Sequence, residues 1–286
     1  MQATTGTSWT LMQEGADTQP ACTGRATILH SSSLVGREQE LAAIAHCVRH
    51  HGIVHLTGAT GVGKSALALR VAQKMAPVFR GGYRSIDAAR AIDCAHLRVM
   101  ASLAIRPSRA AQAPQPETSE EIAGLLLVID NGDRHLACMP GLTRTLRRTR
   151  PDVHVVVTAR TLEAPGTASF AIQPLSFPPE PARHTATEAL AFSAVRLFVQ
   201  EAARHLPGFV LSRENTEPAV GICRLAGGFP LAIKLAAAWL PHMPMNLLPE
   251  ALGSDLLQRL AGRATGAHPP ETRLASGAPT ERSLPA

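Results

Sequence analysis

Gly58-Ala59-Thr60-Gly61-Val62-Gly63-Lys64-Ser65 is the stretch from which the rest of the sequence can be read. It fits the P-loop pattern GxxxxGK[ST], in which glycines let backbone N–H groups turn inward on phosphate oxygens. The alternative is an ordinary glycine turn, and the setting argues against it. Ile53-Val54-His55-Leu56-Thr57 before it reads as a buried strand, and Lys64 to Met75 after it reads as a helix. The positive dipole end of that helix adds to the attraction for phosphate. Lys64 is then placed to reach β- and γ-phosphates, and the Ser65 hydroxyl to ligate Mg2+. Ala66 continues the same phosphate-facing turn.

A P-loop predicts a second element, an apolar strand ending in an acidic residue that holds the metal. Leu125-Leu126-Leu127-Val128-Ile129-Asp130 supplies it, with Asp130 emerging at the carboxyl end where ligands of such sheets bind. The next residue is Asn131, where many hydrolytic P-loop enzymes carry a second carboxylate. An amide can orient water but cannot accept a proton at neutral pH, which favours tight binding with slow turnover. Asp133 is nearby but falls in the next helical turn. Val153 to Thr158 reads as another buried strand, followed by Ala159-Arg160. An arginine in line with Asp130 could sense a γ-phosphate through its charged fork, the alternative being a plain surface arginine.

The 286 residues accommodate one large domain or a core with a smaller partner, and 45% hydrophobic with 17% charged residues suits a globular chain. No apolar run is long enough for a transmembrane helix, and the Thr-, Ser- and Gln-rich start lacks the pattern of a signal peptide. A net charge of +6 permits contact with nucleic acid without establishing it. The basic run Arg144, Arg147, Arg148 and Arg150 reads as a solvated helix face, because no aromatics interleave with it, so no direct nucleic-acid binding is expected. Five scattered cysteines (Cys22, Cys47, Cys94, Cys138, Cys223) form no CxxC pair, which argues against a disulfide framework and against zinc, and points to the cytoplasm. Cys138 and Cys223 read as small core residues. His50, His51 and His55 lack a matching carboxylate or cysteine pattern for a metal.

Along the chain, apolar runs alternate with helical patterns. A first helix is expected at Arg37 to His50, further strands at Tyr83 to Asp87 and Phe170 to Gln173, and a surface loop at Arg106 to Glu117 with its three prolines. After Pro181 the strand signals stop, and helices are expected near Ala189–His205, Glu214–Leu225 and Pro230–Leu240. The predicted fold is α/β: a P-loop NTPase with a parallel five-stranded sheet flanked by helices, followed by a small helical lid domain. Residues 1–32 are expected as a flexible tail, 33–180 as the nucleotide-binding domain, 181–262 as the lid and 263–286 as a disordered tail.

Four further stretches bring a resemblance. Leu34-Val35-Gly36-Arg37-Glu38 resembles the hhGRE element of STAND-type ATPases, the NB-ARC and NACHT-like signalling switches. Asp130-Asn131-Gly132-Asp133 is similar to their bacterial DNxE element with Asp for Glu, Thr158-Ala159-Arg160 to their T[ST]R sensor, and Gly228-Phe229-Pro230-Leu231-Ala232-Ile233 to their GLPLA motif. The order matches over roughly residues 34–262, and the modules most alike belong to bacterial transcriptional regulators of SARP and LuxR-like type. The resemblance implies that the segment Val35, Gly36 and Arg37 lies against adenine, that Pro230 packs near the base from the lid, and that Arg160 is the sensor. It implies ATP or ADP with Mg2+ as cofactors, an ADP-bound closed state, and a homo-oligomer or regulatory protein as partner. Family members usually carry an effector, a winged helix and repeats. Ala275 to Leu284 resembles the approach to such a winged helix, so a truncated or fragmentary member, or a stand-alone subunit, is expected. The competing expectations are a non-hydrolysing ADP-binding scaffold and a DNA-associated AAA+ ATPase.

Overall fold

The computed structural model describes residues 34–106, 122, 124–162, 167–180 and 183–252. Strands β1 (Ile53–Thr57), β2 (Tyr83–Asp87), β3 (Leu125–Asp130), β4 (Val153–Thr158) and β5 (Ala168–Ala171) form one sheet in the order β2-β3-β4-β1-β5. Every neighbouring pair is parallel. Parallel neighbours need crossover connections: α2 (Lys64–Met75), α3 (Cys94–Ala104) and α4 (Met139–Thr149) supply those from β1 to β4, while α1 (Glu38–His51) precedes β1. This is the expected α/β fold.

The apolar run of β3 shows why the sheet is covered on both sides. Leu125, Leu127 and Ile129 join a cluster with Leu97, Ala101, Met139, Leu142 and Leu146. Leu126 and Val128 join another with Ile44, Val48, Leu67 and Val71. Side chains alternate between faces along a strand, so an unbroken aliphatic run is stable only when both faces are packed. Each such buried side chain stabilises the fold by about 1.5–3 kcal/mol.

The polypeptide then turns helical. A capping box between Thr185 and Glu188 starts α5 (Ala186–Ala189). It is followed by α6 (Ser193–His205), α7 (Thr216–Leu225), α8 (Pro230–Ala238) and α9 (Leu248–Leu252). These helices share a core of Val195, Phe198, Ile222, Cys223, Ile233 and Leu248, which also takes in Leu175 from the segment after β5. Among the described residues no helix is long and apolar enough to cross a membrane.

Several expectations need correction. The last strand forms at Ala168–Ala171 rather than Phe170–Gln173, because its ladder pairs Val54 with Ala168 and Thr57 with Ala171. The helix expected from Ala189 is two helices, since the capped turn of α5 ends before Ser193. Helix α3 was not anticipated: Val99 and Leu103 are exposed while only Leu97 and Ala101 are buried, which blurs its apolar face. The basic run divides. Arg144 and Arg148 are exposed, whereas Arg147 donates to the Val153 carbonyl at 3.0 Å and Arg150 grips Asp152 with two bonds of 2.8 and 2.6 Å. Cys138 is not a core residue, and the expectation of no disulfide fails: Cys94 and Cys138 are bonded, with Cα atoms 6.2 Å apart. Their spacing of 44 residues hides that both stand at helix starts on one face of the sheet. Cys223 is fully buried, and burial pushes its thiol pKa up, as for a small core residue. The expected tails, the loop beyond Arg106, Cys22 and the stretch Ala275 to Leu284 lie outside the described residues.

Candidate functional site

Because all five strands run the same way, their carboxyl ends share one edge. The P-loop leaves β1 there, and Asp87, Asp130 and Thr158 end β2, β3 and β4. The loop's glycines adopt backbone that other residues avoid: Gly58, Gly61 and Gly63 have φ of 140°, 81° and 103°. A Cβ on Gly58 would stand 2.6 Å from the Ile172 carbonyl oxygen. Val62 is fully buried and anchors the loop, while Ala59 and Ala66 are exposed and Thr60, Lys64 and Ser65 half-buried.

The Lys64 ammonium donates to the carbonyls of Gly58 at 2.8 Å and Ala59 at 3.0 Å. Burial pulls its pKa below the usual lysine value, and the carboxylates of Asp133 and Asp130 partly oppose that shift. The Ser65 hydroxyl donates to Asp130 Oδ1 at 2.7 Å, bridging 65 residues of sequence. Two hard oxygen donors side by side, below a loop of inward-turning backbone, fit a Mg2+-bound polyphosphate.

Asp130 sits in a network that the sequence did not disclose. The Thr158 hydroxyl also donates to Asp130 Oδ1, and accepts the Asn131 backbone N–H at 3.0 Å. Asp87 is the in-register neighbour of Asp130 across β2 and β3, so two carboxylates leave the sheet edge side by side. Like charges in that position repel. Asn131 relieves this by donating its side-chain amide to Asp87 Oδ1 at 3.0 Å. To do so it adopts the left-handed region, φ 57° and ψ 46°, the sole non-glycine there among the described residues. Thr158 was visible only as the start of a TxR triplet. Asp87 carries the same signal as Asp130, an acid at a strand end, but on a strand of mixed polarity.

Arg160 follows β4, as expected, and is paired with Asp133. The Arg160 backbone N–H donates to Asp133 Oδ1 at 2.6 Å, and its Nε lies 3.4 Å from the same oxygen. Asp133 stands in a short 3₁₀ turn, Gly132–His135.

Arg37 is 4% exposed, and its guanidinium is bound by protein: the Gln173 carbonyl at 2.6 Å, the Val62 carbonyl at 3.2 Å and the Glu40 carboxylate. It thus ties the P-loop to the segment after β5. Gly36 (φ 70°) lies against α6, where a Cβ would stand 2.4 Å from Ser193 Cβ, and Val35 packs on the helical core. Pro230 opens α8 and approaches Gly63; its Cγ lies 3.9 Å from where a Cβ would be. The following N–H, of Leu231, donates to the Gly61 carbonyl at 3.2 Å. The structure therefore brings Gly58 to Ala66, Asp130, Arg160 and Pro230 to one place, with Arg37 beneath the loop and Val35 and Gly36 turned toward the helices.

The chain is also similar to known proteins. An uncharacterised protein of Mycobacterium tuberculosis is 29% identical over 255 residues, 87% of this chain and 61% of its own length. A second M. tuberculosis protein, which goes by the name of an HTH-type transcriptional regulator, is 28% identical over 218 residues, 75% of this chain and 23% of its own. The chain thus spans less than two thirds of the length of each of these relatives. Among solved structures, a Walker-type ATPase of Pyrococcus abyssi shares the fold, with TM-score 0.50 at 12% identity over 76% of this chain and 71% of that one. Residues 33–275 match the AAA ATPase domain, and the chain belongs to that family.

Proposed function

We propose that this chain is a slow, Mg2+-dependent ATP/ADP switch of STAND type, working as the ATPase module of a regulatory protein. The observation that carries the proposal is the 2.7 Å bond between Ser65 and Asp130, which sets the two candidate metal ligands together beside Lys64. In this reading Gly58 to Ala66 cradle the phosphates, Lys64 binds β- and γ-oxygens, Ser65 and Asp130 hold Mg2+, and Arg160 leaves Asp133 to meet the γ-phosphate. Bound Mg2+ would neutralise the charge that develops on the phosphates. Pro230 closes on the nucleotide from the helical side. Arg37, whose donors are taken by protein carbonyls, shapes the loop instead of reading the base. The HTH-type name of one relative suggests a place in transcriptional control.

A second reading, a module that holds ADP without hydrolysing it, is favoured by Asn131. Its amide is committed to Asp87, and Asp133, the other nearby carboxylate, is committed to Arg160. Asp87, beside Asp130 at the sheet edge, and Asp133 both already accept hydrogen bonds, so no unpartnered carboxylate stands next to Asp130 among the described residues.

The test is the nucleotide released on denaturing freshly purified protein, beside a Lys64→Ala control, followed by steady-state phosphate release. Near-stoichiometric ADP in the wild type, none in the control and slow phosphate release support the switch. ADP without phosphate release supports the holding module. A wild type that carries no nucleotide and takes up neither ATP nor ADP overturns both.

A further inference from the structure

On the face of the sheet covered by α3 and α4, three metal-ligating side chains converge. Cys94 is the first residue of α3, Cys138 caps α4, and His135 ends the 3₁₀ turn that follows Asp130. The two sulfurs and a ring nitrogen of His135 all lie within 4.8 Å of one another. His135 is 5% exposed, and its Nε2 is buried without a hydrogen-bond partner. A buried imidazole nitrogen with no partner is costly, and native structures usually satisfy it or use it. Cys94 and Cys138 remain reachable from solvent.

We propose that Cys94, His135 and Cys138 in their reduced state bind a zinc-class divalent cation, and that the Cys94–Cys138 disulfide is the oxidised, metal-free form of the same site. Two thiolates and an imidazole select zinc over the hard Mg2+ of the nucleotide site. In a tetrahedral site, Zn–S of 2.3 Å and Zn–N near 2.0 Å put ligand atoms roughly 3.5–3.8 Å apart. Atoms already within 4.8 Å reach that spacing by side-chain adjustment, without moving a helix. Three protein ligands leave the fourth position to water. The exchange balances as follows: a dithiol reductant breaks the S–S bond, each sulfur gains a proton, and the reductant leaves as its own disulfide. Zinc binding then releases both thiol protons to solvent.

The site gives the turn two alternative staples, one covalent and one through the metal. Both tie Cys138 to the start of α3, and the metal form would also hold His135, five residues beyond Asp130. The site shares no residue with the proposed nucleotide cradle, so it stands or falls separately.

The experiment uses the full chain, reduced with a phosphine and desalted without oxygen, then titrated with Co2+ and with Zn2+ against a colorimetric chelator. Wild type is compared with Cys94→Ser, His135→Ala and unreduced wild type. The expected result is about one equivalent bound by reduced wild type, with a near-ultraviolet thiolate-to-cobalt charge-transfer band. The apparent affinity should fall at least about 100-fold in Cys94→Ser, more than an outer-shell change causes, and uptake should be absent from the unreduced chain. Cys47 and Cys223 are free thiols common to all samples, so the difference isolates the site. If His135→Ala fails to fold, Cys94→Ser, at a solvent-reachable position, carries the comparison. Reduced wild type that binds no more metal than Cys94→Ser overturns the proposal and leaves a plain structural disulfide.

Discussion

Thr158→Val tests the network around Asp130 most directly. The side chain is 1% exposed, and valine replaces it at nearly the same volume, so no cavity opens. What is lost is the hydroxyl, which donates to Asp130 Oδ1 and accepts the Asn131 N–H at 3.0 Å. A hydrogen bond to a charged group contributes about 1.5–3 kcal/mol, and a partly buried donor left without a partner costs about 1 kcal/mol. The expected loss of stability is therefore about 2–4 kcal/mol. With a urea dependence of roughly 2–3 kcal/mol per molar, the unfolding midpoint should fall by about 1 M. Asp130 would keep the Ser65 hydroxyl but lose the partner that fixes its second direction, so Mg2+-dependent nucleotide binding should half-saturate at higher Mg2+. Thr158→Ser, which retains the hydroxyl, should recover most of both effects. A Thr158→Val protein with an unchanged midpoint and unchanged Mg2+ dependence would show that Asp130 is held by something other than this hydroxyl.

Three other outcomes are expected. Arg160→Ala should lower the rate of phosphate release at least tenfold while leaving ADP affinity within about twofold, because a γ-phosphate contact is absent from the ADP state; equal loss in both would make Arg160 a structural partner of Asp133. Gly36→Ala should destabilise the chain by about 2–4 kcal/mol, through its left-handed backbone and the 2.4 Å approach to Ser193 Cβ, lowering Tm by roughly 4–16 °C in a thermal scan. His55 and His154 both have pKa values pushed down by burial, with Arg147 adding to the effect at His154. The unfolded chain then binds more protons than the folded one just below pH 6.5, so stability is complete above that pH and falls as pH drops through it. The slope is at most about 1.4 kcal/mol per pH unit for each histidine. Tm measured between pH 7.5 and 5.5 should show this fall, and His55→Val should flatten it.

How much of this could be read in the sequence depended on whether a residue's role was local. The P-loop and β3 were legible because a strand, a glycine turn and a helix start are specified by neighbours, and the interior strands β1 and β3 are buried on two faces. The all-parallel sheet followed from the alternation of strands with helices. The sequence did not show which acid pairs with which. Asp87 and Asp130 are 43 positions apart and meet only because β2 and β3 are in register, and the bond from the Asn131 amide to Asp87 follows from that register, so it is invisible in the chain order. Arg37 was placed near the base by the resemblance of its segment to the hhGRE element, which does not disclose the partners the fold gives it: the carbonyls of Val62 and Gln173 and the Glu40 carboxylate. Cys94 and Cys138 were judged by spacing, which says nothing about two helix starts brought together by a sheet.

The contacts between α8 and the P-loop also limit what the helical part can do for the nucleotide. At the loop itself they are the Leu231 N–H to the Gly61 carbonyl, 3.2 Å, and Pro230 above Gly63. One such hydrogen bond contributes about 0.5–1.5 kcal/mol, or a factor of roughly 2–13 in an equilibrium. A ligand shifts an equilibrium only by the difference in its interactions with the two states. On the proposed function, this one hydrogen bond of α8 to the loop would account for about a tenfold preference between open and closed forms. A larger separation of ATP and ADP states would then fall to a group that meets the γ-phosphate directly. Arg160 is the candidate, and its present partner, Asp133, is what the γ-phosphate must outcompete. That partner is 29% exposed at its side chain and joined to Arg160 Nε at 3.4 Å, so the ion pair is worth roughly 1 kcal/mol or less. On the proposed function, exchange of Arg160 from carboxylate to phosphate would be favourable once a triphosphate is bound and unfavourable with a diphosphate, and the direction of the proposed switch would rest on that difference.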